Sequence, residues 1–202
     1  MDDGRTGTTE SGGDDEPEGL GGRLLIAMPG IGDPRFERAV ILVTSHSSEE
    51  ATGIAVNRPL EGLSLAELLK RLGVRSQVSP PDHAVLIGGP VERERGFVLH
   101  TDDYVSADST LPVGDGLALT ATREVLEAMG DAVRRPRQAV LALGCAEWSA
   151  GQLDDELREN VWLTCDADDA IVFDEDYATK WERALAKIGV APARLSSLAG
   201  HA

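Results

Sequence analysis

The 202-residue chain is predicted to fold as α+β, with a strongly curved, largely antiparallel sheet flanked by helices. Short apolar runs rich in Val and Ile, bounded by Gly, Pro and Asp, outnumber the helical segments. Several successive runs are joined by connections too short for the helix that a right-handed crossover between parallel strands needs. The length suits one substantial core, and a composition 42% apolar without an uninterrupted run of transmembrane length predicts a soluble domain with no membrane span.

Residues 1–22 carry seven acids, one Arg and almost nothing apolar, which predicts a disordered, dispensable acidic tail ahead of a domain over 23–202. "RLLIAM" (23–28), "AVILVTS" (39–45) and "TGIAVN" (52–57) read as strands, the first two joined by the turn-rich "PGIGDPRFER". Ser64 with Glu67 forms a capping-box signature for a helix ending at Gly73. "AVLIGGPVERERGFVLH" (84–100) reads as two strands parted at Gly88, Gly89 and Pro90, a break made by backbone chemistry. A strand at 116–120, a helix at 121–130, a strand at 138–144, a helix near 150–159, a strand at 161–165 and a helix from Tyr177 to Ile188 complete the pattern. No two helices stand joined by a short turn, so a helix-turn-helix is not expected.

Formal net charge is -16, of which the tail holds -6; the segment 147–176 has eleven acids against Arg158 alone, net -10, and the remainder is neutral. Such a surface repels a phosphate backbone, so direct nucleic-acid binding is not expected. The acidic segment predicts a solvated face rather than a cation site. An EF-hand loop counted from Asp166 puts Ala170, Ile171 and Tyr177 at positions that need a ligand, a glycine and a glutamate. Two cysteines, Cys145 and Cys165, in neither a CxxC nor a zinc spacing suit the cytoplasm, and the four histidines show no HxxxH pairing. No metal and no cofactor is expected.

The sharpest chemical offer is "LALGCAEWSAGQLDDEL" (141–157), where Cys145 is expected at a strand end just ahead of a helix. A helix N-terminus lowers a thiol pKa, but the nearby charges, Glu147 and Asp154 to Glu156, are negative and favour a packed, protonated thiol. In "NRP", Asn57 and Arg58 follow a strand; the guanidinium could meet an anion, or pair internally with an acid to tie down a loop. Trp148, Trp162 and Trp181 are expected as core and interface anchors, and "GGPV" as a backbone device rather than a phosphate loop. The serine-hydrolase elbow is absent.

The stretches "MPGIGDPRFERAVILVTSHS", "GIAVNRP", "IGGPVERERGFVLHTDDY", "STLPV", "LTAT", "WSAGQLDDEL" and "LSSLAGHA", in this order from Gly22 to Ala202, resemble the AlgH/YqgE family of bacterial proteins. The resemblance implies a bifurcated, coiled sheet flanked by helices. Some members carry a transcriptional-regulator label, and members often have Tyr where Cys145 stands, which argues against a nucleophile.

Three functions are compatible with these features. The first is a non-enzymatic protein that binds an unknown protein or small-molecule ligand, with any effect on transcription indirect. Its candidate binding set is His46, Asn57, Arg58, His100, Cys145, Trp148 and Gln152. The second is an enzyme using a cleft around Arg58 and Cys145, and the third a direct DNA-binding regulator. Charge and missing motifs count against the third, and the lack of a recognisable catalytic set against the second.

Overall fold

The first strand is apolar from residue 24 to residue 27 because both of its faces are covered. In β1 (Arg23–Ala27), Leu24 and Ile26 enter one cluster with Leu42, Ile54, Phe173 and Trp181, while Leu25 and Ala27 enter another with Ile41, Trp148, Leu153 and Trp162. Successive side chains of a strand point to opposite faces, so a run without polar alternation is the signature of two-sided burial. The structure is a computed structural model and describes residues 19–78 and 83–195. The tail expected over 1–22 is therefore described only from Gly19, and "LSSLAGHA" only at Leu195.

The sheet runs in the order β10-β1-β2-β3-β9-β6-β8-β7. Its members are β2 (Val40–His46), β3 (Glu50–Ala55), β6 (Val91–Thr101), β7 (Thr110–Pro112), β8 (Leu117–Thr120), β9 (Ala139–Ser149) and β10 (Trp162–Asp166). All pairs along this path are antiparallel. A branch adds β4 (Pro59–Ser64) beside β5 (Ala84–Ile87), and β5 lies parallel to β9. The fork is at β9. One of its edges holds β6; the other holds β5 opposite Ala142 and Leu143, then β3 opposite residues 146–149.

Helices α1 (Leu65–Arg71) and α2 (Arg123–Met129) cover a third cluster with Val98 and Leu141, and α3 (Gln152–Arg158) lays Leu153 against the Trp148 side. Helix α5 (Lys180–Lys187) puts Trp181 and Leu185 on β1, and α4 (Asp169–Val172) precedes it. The capping box at Ser64 is formed in both directions, and Gly73 follows with φ +69°.

Four local readings are corrected. The strand expected over 138–144 continues to Ser149, because Ala146 and Trp148 bury against β3 while Cys145 faces the other core. Residues 59–64 and 110–112 are strands the sequence did not suggest; each is short, polar and at an edge, so neither has an apolar run to betray it. The C-terminal helix begins at Lys180, and α4 was not anticipated. Residues 20 and 22, counted with the tail, bond to β2: the Leu20 N–H donates to His46 Nδ1 at 3.3 Å and the Gly22 N–H to the Val43 carbonyl at 2.9 Å.

Candidate functional site

Between β5 and β6 the chain must pass from one edge of β9 to the other, and it does so across the strand at Gly144 and Cys145. The crossing needs three residues without side chains. A Cβ on Gly144, whose φ is +75°, would meet the Gly89 carbonyl oxygen at 2.6 Å, and Cβ atoms on Gly88 and Gly89 would fall closer still to Gly144 and Cys145. "GGPV" is thus a device for backbone-on-backbone approach. Its position is fixed by the Gly88 N–H donating to the Leu143 carbonyl at 2.8 Å and the Ala55 N–H donating to Gly88 at 2.8 Å.

Three cavities adjoin this crossing and share walls. The first, about 360 Å³, is lined by Arg35, Arg58 and Arg93 with Phe36, Ile87 and Pro90 among its other walls. The second, about 590 Å³, shares Arg35, Phe36 and Pro90 with it and reaches Trp148, Gln152 and Glu156. The third, about 790 Å³, joins the second through Val91, Glu147 and Trp148, and has Cys145 and Phe97 in its floor and Glu92 and Arg95 at its rim.

The "NRP" motif builds the arginine-lined side. Asn57 accepts from the Val40 N–H at 2.9 Å and donates to the Arg38 carbonyl at 2.8 Å, holding Arg38 at a φ of +53°. Arg58 is tied at its backbone by the Ile87 N–H at 2.7 Å, and its Nη2 donates to the Glu37 carbonyl at 2.6 Å. The internal tie foreseen for Arg58 therefore exists, but to a carbonyl rather than to an acid. Its Nε is buried with no hydrogen-bond partner among the described residues. Burial draws the guanidinium below its ordinary pKa, against the opposing pull of Glu37 and Asp33. Arg35 is held by Asp33 through Nε at 3.0 Å and Nη2 at 2.6 Å. From behind, Lys180 donates to the carbonyls of Val56 and Val172 at 2.9 and 3.0 Å, and burial brings its ammonium down to about 8.

Cys145 sits inside β9, four residues before its end, and α3 does not begin until Gln152, so no helix terminus faces the thiol. Its Sγ donates to Glu147 Oε1 at 3.4 Å. Burial, then the bond to and charge of Glu147, push the thiol up to about 12. Glu92, Cys145 and Glu147 bring their ligand atoms within 4.8 Å of one another. Two hard carboxylates with a protonated soft thiol are a poorly matched donor set, and Glu92 is already held by Arg95 at 3.0 Å.

Of the sequence-selected residues, the structure brings Trp148 and Gln152 together. Glu156 Oε2 accepts from Trp148 Nε1 at 2.9 Å and Trp162 Nε1 at 2.7 Å, while its Oε1 accepts from Gln152 at 2.8 Å. Cys145 adjoins them through Trp148; Asn57 and Arg58 stand on the opposite side of the crossing, so Arg58 and Cys145 line different cavities. His46 stands apart beside Leu20 and 3.5 Å from Asp154. His100 is fully buried: its Nδ1–H donates to the Thr101 carbonyl at 2.8 Å and its Nε2 accepts from Thr120 at 2.9 Å, and burial lowers its pKa. Arg35, Phe36 and Arg93 were missed. The first two lie in the family-like "DPRF" and the third in a charged strand start, and only the crossing makes them neighbours.

Part of the acidic segment 147–176 is paired with basic groups elsewhere in the chain. Asp166 pairs with Arg23 at 2.7 Å, Asp168 with Lys187 at 2.5 Å, Asp174 with Arg183 at 3.4 Å and Glu175 with His83 at 2.8 Å. No helix among the described residues is long and apolar enough to cross a membrane.

A family model described as AlgH-like matches residues 24–193. The chain is 62% identical over 189 residues to a UPF0301 protein of Caulobacter vibrioides, covering 94% of this chain and 97% of that protein. A UPF0301 protein of Rhodopseudomonas palustris is 50% identical over 190 residues, 91% of this chain and 87% of its own. The solution structure of the AlgH protein from Pseudomonas aeruginosa superposes with a TM-score of 0.70 at 40% identity, over 94% of this chain and 100% of that one. A crystal structure from Corynebacterium diphtheriae shares the fold at a TM-score of 0.64 and 21% identity, over 82% of this chain and 85% of that one.

Proposed function

The chain belongs to the AlgH-like family, and from that premise we propose that it is a non-enzymatic cytoplasmic protein that works by binding a small ligand at the Gly88–Val91 crossing. The observation that carries this reading is the set of adjoining cavities whose shared walls are fixed by backbone bonds to β9. A preformed concavity with apolar walls and a few convergent polar groups is the usual form of a ligand site. The thiol beside it supports binding over catalysis, since a cysteine held up to about 12 has almost no thiolate at neutral pH. Any effect on transcription is indirect in this reading, because a net charge of -16 opposes contact with DNA.

The test is a ligand-observed NMR screen of small, chemically diverse fragments on the wild type and on Ile87→Trp. Ile87 is 36% exposed and lines the arginine-side cavity, so the indole fills that space without entering a core. Fragments should bind the wild type and be lost from the folded variant. A screen in which no fragment is sensitive to Ile87→Trp, or rapid covalent capture of electrophilic fragments at Cys145, would sink the proposal.

A further inference from the structure

We infer that the cavity between the Asn57–Arg58–Pro59 turn and the crossing takes a small organic oxyanion, a phosphate or carboxylate group carried on an apolar body. The inference rests on the ligand-binding reading and names the ligand class at one of its cavities. The first support is charge. In a chain with 35 acids and 19 Lys and Arg residues, this cavity is lined by Arg35, Arg58 and Arg93 and by no acid. Asp33 and Glu37 act on Arg58 from outside the lining, and Asp33 neutralises Arg35, so Arg58 and Arg93 supply the free positive charge. Arg93 forms no ion pair among the described residues and is exposed at the mouth.

The second support is a donor with no acceptor. Arg58 Nε is buried and has no partner among the described residues, while Nη2 of the same group is occupied by the Glu37 carbonyl. A buried N–H without a partner is costly, and buried donors in folded proteins are almost always satisfied. A guanidinium anchored at Nη2 and lining the cavity is oriented before a ligand arrives, which suits planar recognition of a carboxylate or phosphate once its Nε–H is met. Neither Asp33 nor Glu37 supplies the missing acceptor.

The third support is shape. Phe36, Ala55, Ile87 and Pro90 make the other walls apolar, so a bare inorganic ion would leave them unused. The volume of about 360 Å³ is at the small end of ligand sites and suits one ring with its anionic group. A nucleic-acid strand has the right charge but fits neither this concavity nor the acidic surface around it.

The experiment records side-chain Nε–H resonances of the ¹⁵N-labelled full chain during titration with phenyl phosphate, benzoate, inorganic phosphate, benzyl alcohol and benzylamine. Phenyl phosphate or benzoate should shift the Arg58 Nε–H and bind at least about tenfold more tightly than benzyl alcohol, a difference of about 1.4 kcal/mol. The tighter of the two identifies the anionic group. Arg93→Gln should weaken that binding about fivefold and leave the fold intact. Arg58→Lys, which keeps the charge and removes the Nε–H, should weaken it at least as much. Equal binding of benzyl alcohol or benzylamine, lost in Ile87→Trp, would overturn the oxyanion while leaving the ligand-binding reading standing. Equal binding of inorganic phosphate would overturn the apolar body, and silence of all five probes would overturn the inference outright.

Discussion

The two sides of the Gly88–Val91 crossing share one backbone frame and carry opposite charge. On one side, Arg35, Arg58 and Arg93 line one cavity and the buried Arg58 Nε–H has no partner among the described residues; on the other, Glu92 and Glu147 face a thiol bonded to one of them. The cysteine is intrinsically the more reactive group, yet burial, and after it the carboxylate neighbours, hold it protonated. The arginine is chemically inert, yet burial with one edge free makes it the better recognition element. A group's potential is set by what surrounds it, and the surroundings here differ only in which residues the crossing delivers to each face.

The comparison breaks most completely if its shared wall is removed. Gly89→Val forces a branched side chain into the backbone of β9 at Cys145, and a loss of about 3 kcal/mol or more is expected in urea unfolding, with both sides perturbed. Wild-type stability in that variant would mean the crossing is not fixed. A narrower break is Asn57→Ala, which strands the Val40 N–H and the Arg38 carbonyl. It should cost about 2 kcal/mol and disturb resonances of residues 37–40 while thiol labelling of Cys145 stays unchanged.

The acidic side is sharpened by pH. The folded thiol is held up to about 12 against an ordinary value of 9.0, so above pH 9 the unfolded chain releases a proton that the folded chain keeps. The contribution of Cys145 to stability is therefore complete below pH 9 and declines as pH rises toward 12. Cys145→Ala should reduce that decline, at a packing cost of about 1 kcal/mol, and Glu147→Gln should speed labelling by a thiol reagent at neutral pH. Fast labelling of the wild type would reverse the assignment of the two sides. The smallest effect belongs to Arg93→Gln, whose stability should stay within about 0.5 kcal/mol of wild type because the side chain is exposed and forms no ion pair among the described residues. A larger loss would make Arg93 part of the frame rather than of the ligand wall.

Much of the fold was legible because the signals are local. Continuous Val and Ile runs marked β1, β2 and β3, the Ser64–Glu67 box marked α1, and the ordered motifs identified the family later matched over residues 24–193. The unread elements lack local signals: β4 and β7 are short edge strands whose pairing, not composition, makes them strands. Among site residues, Asn57 and Arg58 were visible as polar groups after an apolar strand, whereas Arg35 and Arg93 read as ordinary surface charges.

By itself the sequence determined the α+β class, most strand and helix positions, the break at Gly88–Pro90 and the charge that opposes nucleic acid, since periodicity, glycine and proline chemistry and net charge act without distant contacts. Only the tertiary structure decided what the break is for. Gly144 lies 55 residues beyond Gly89, and nothing local in either shows that their backbones meet. That meeting places Cys145 inside a strand, parts it from Arg58 and gathers three arginines at one wall. The physical reason is that desolvation and charge on a side chain are sums over neighbours in space, which chain order does not encode.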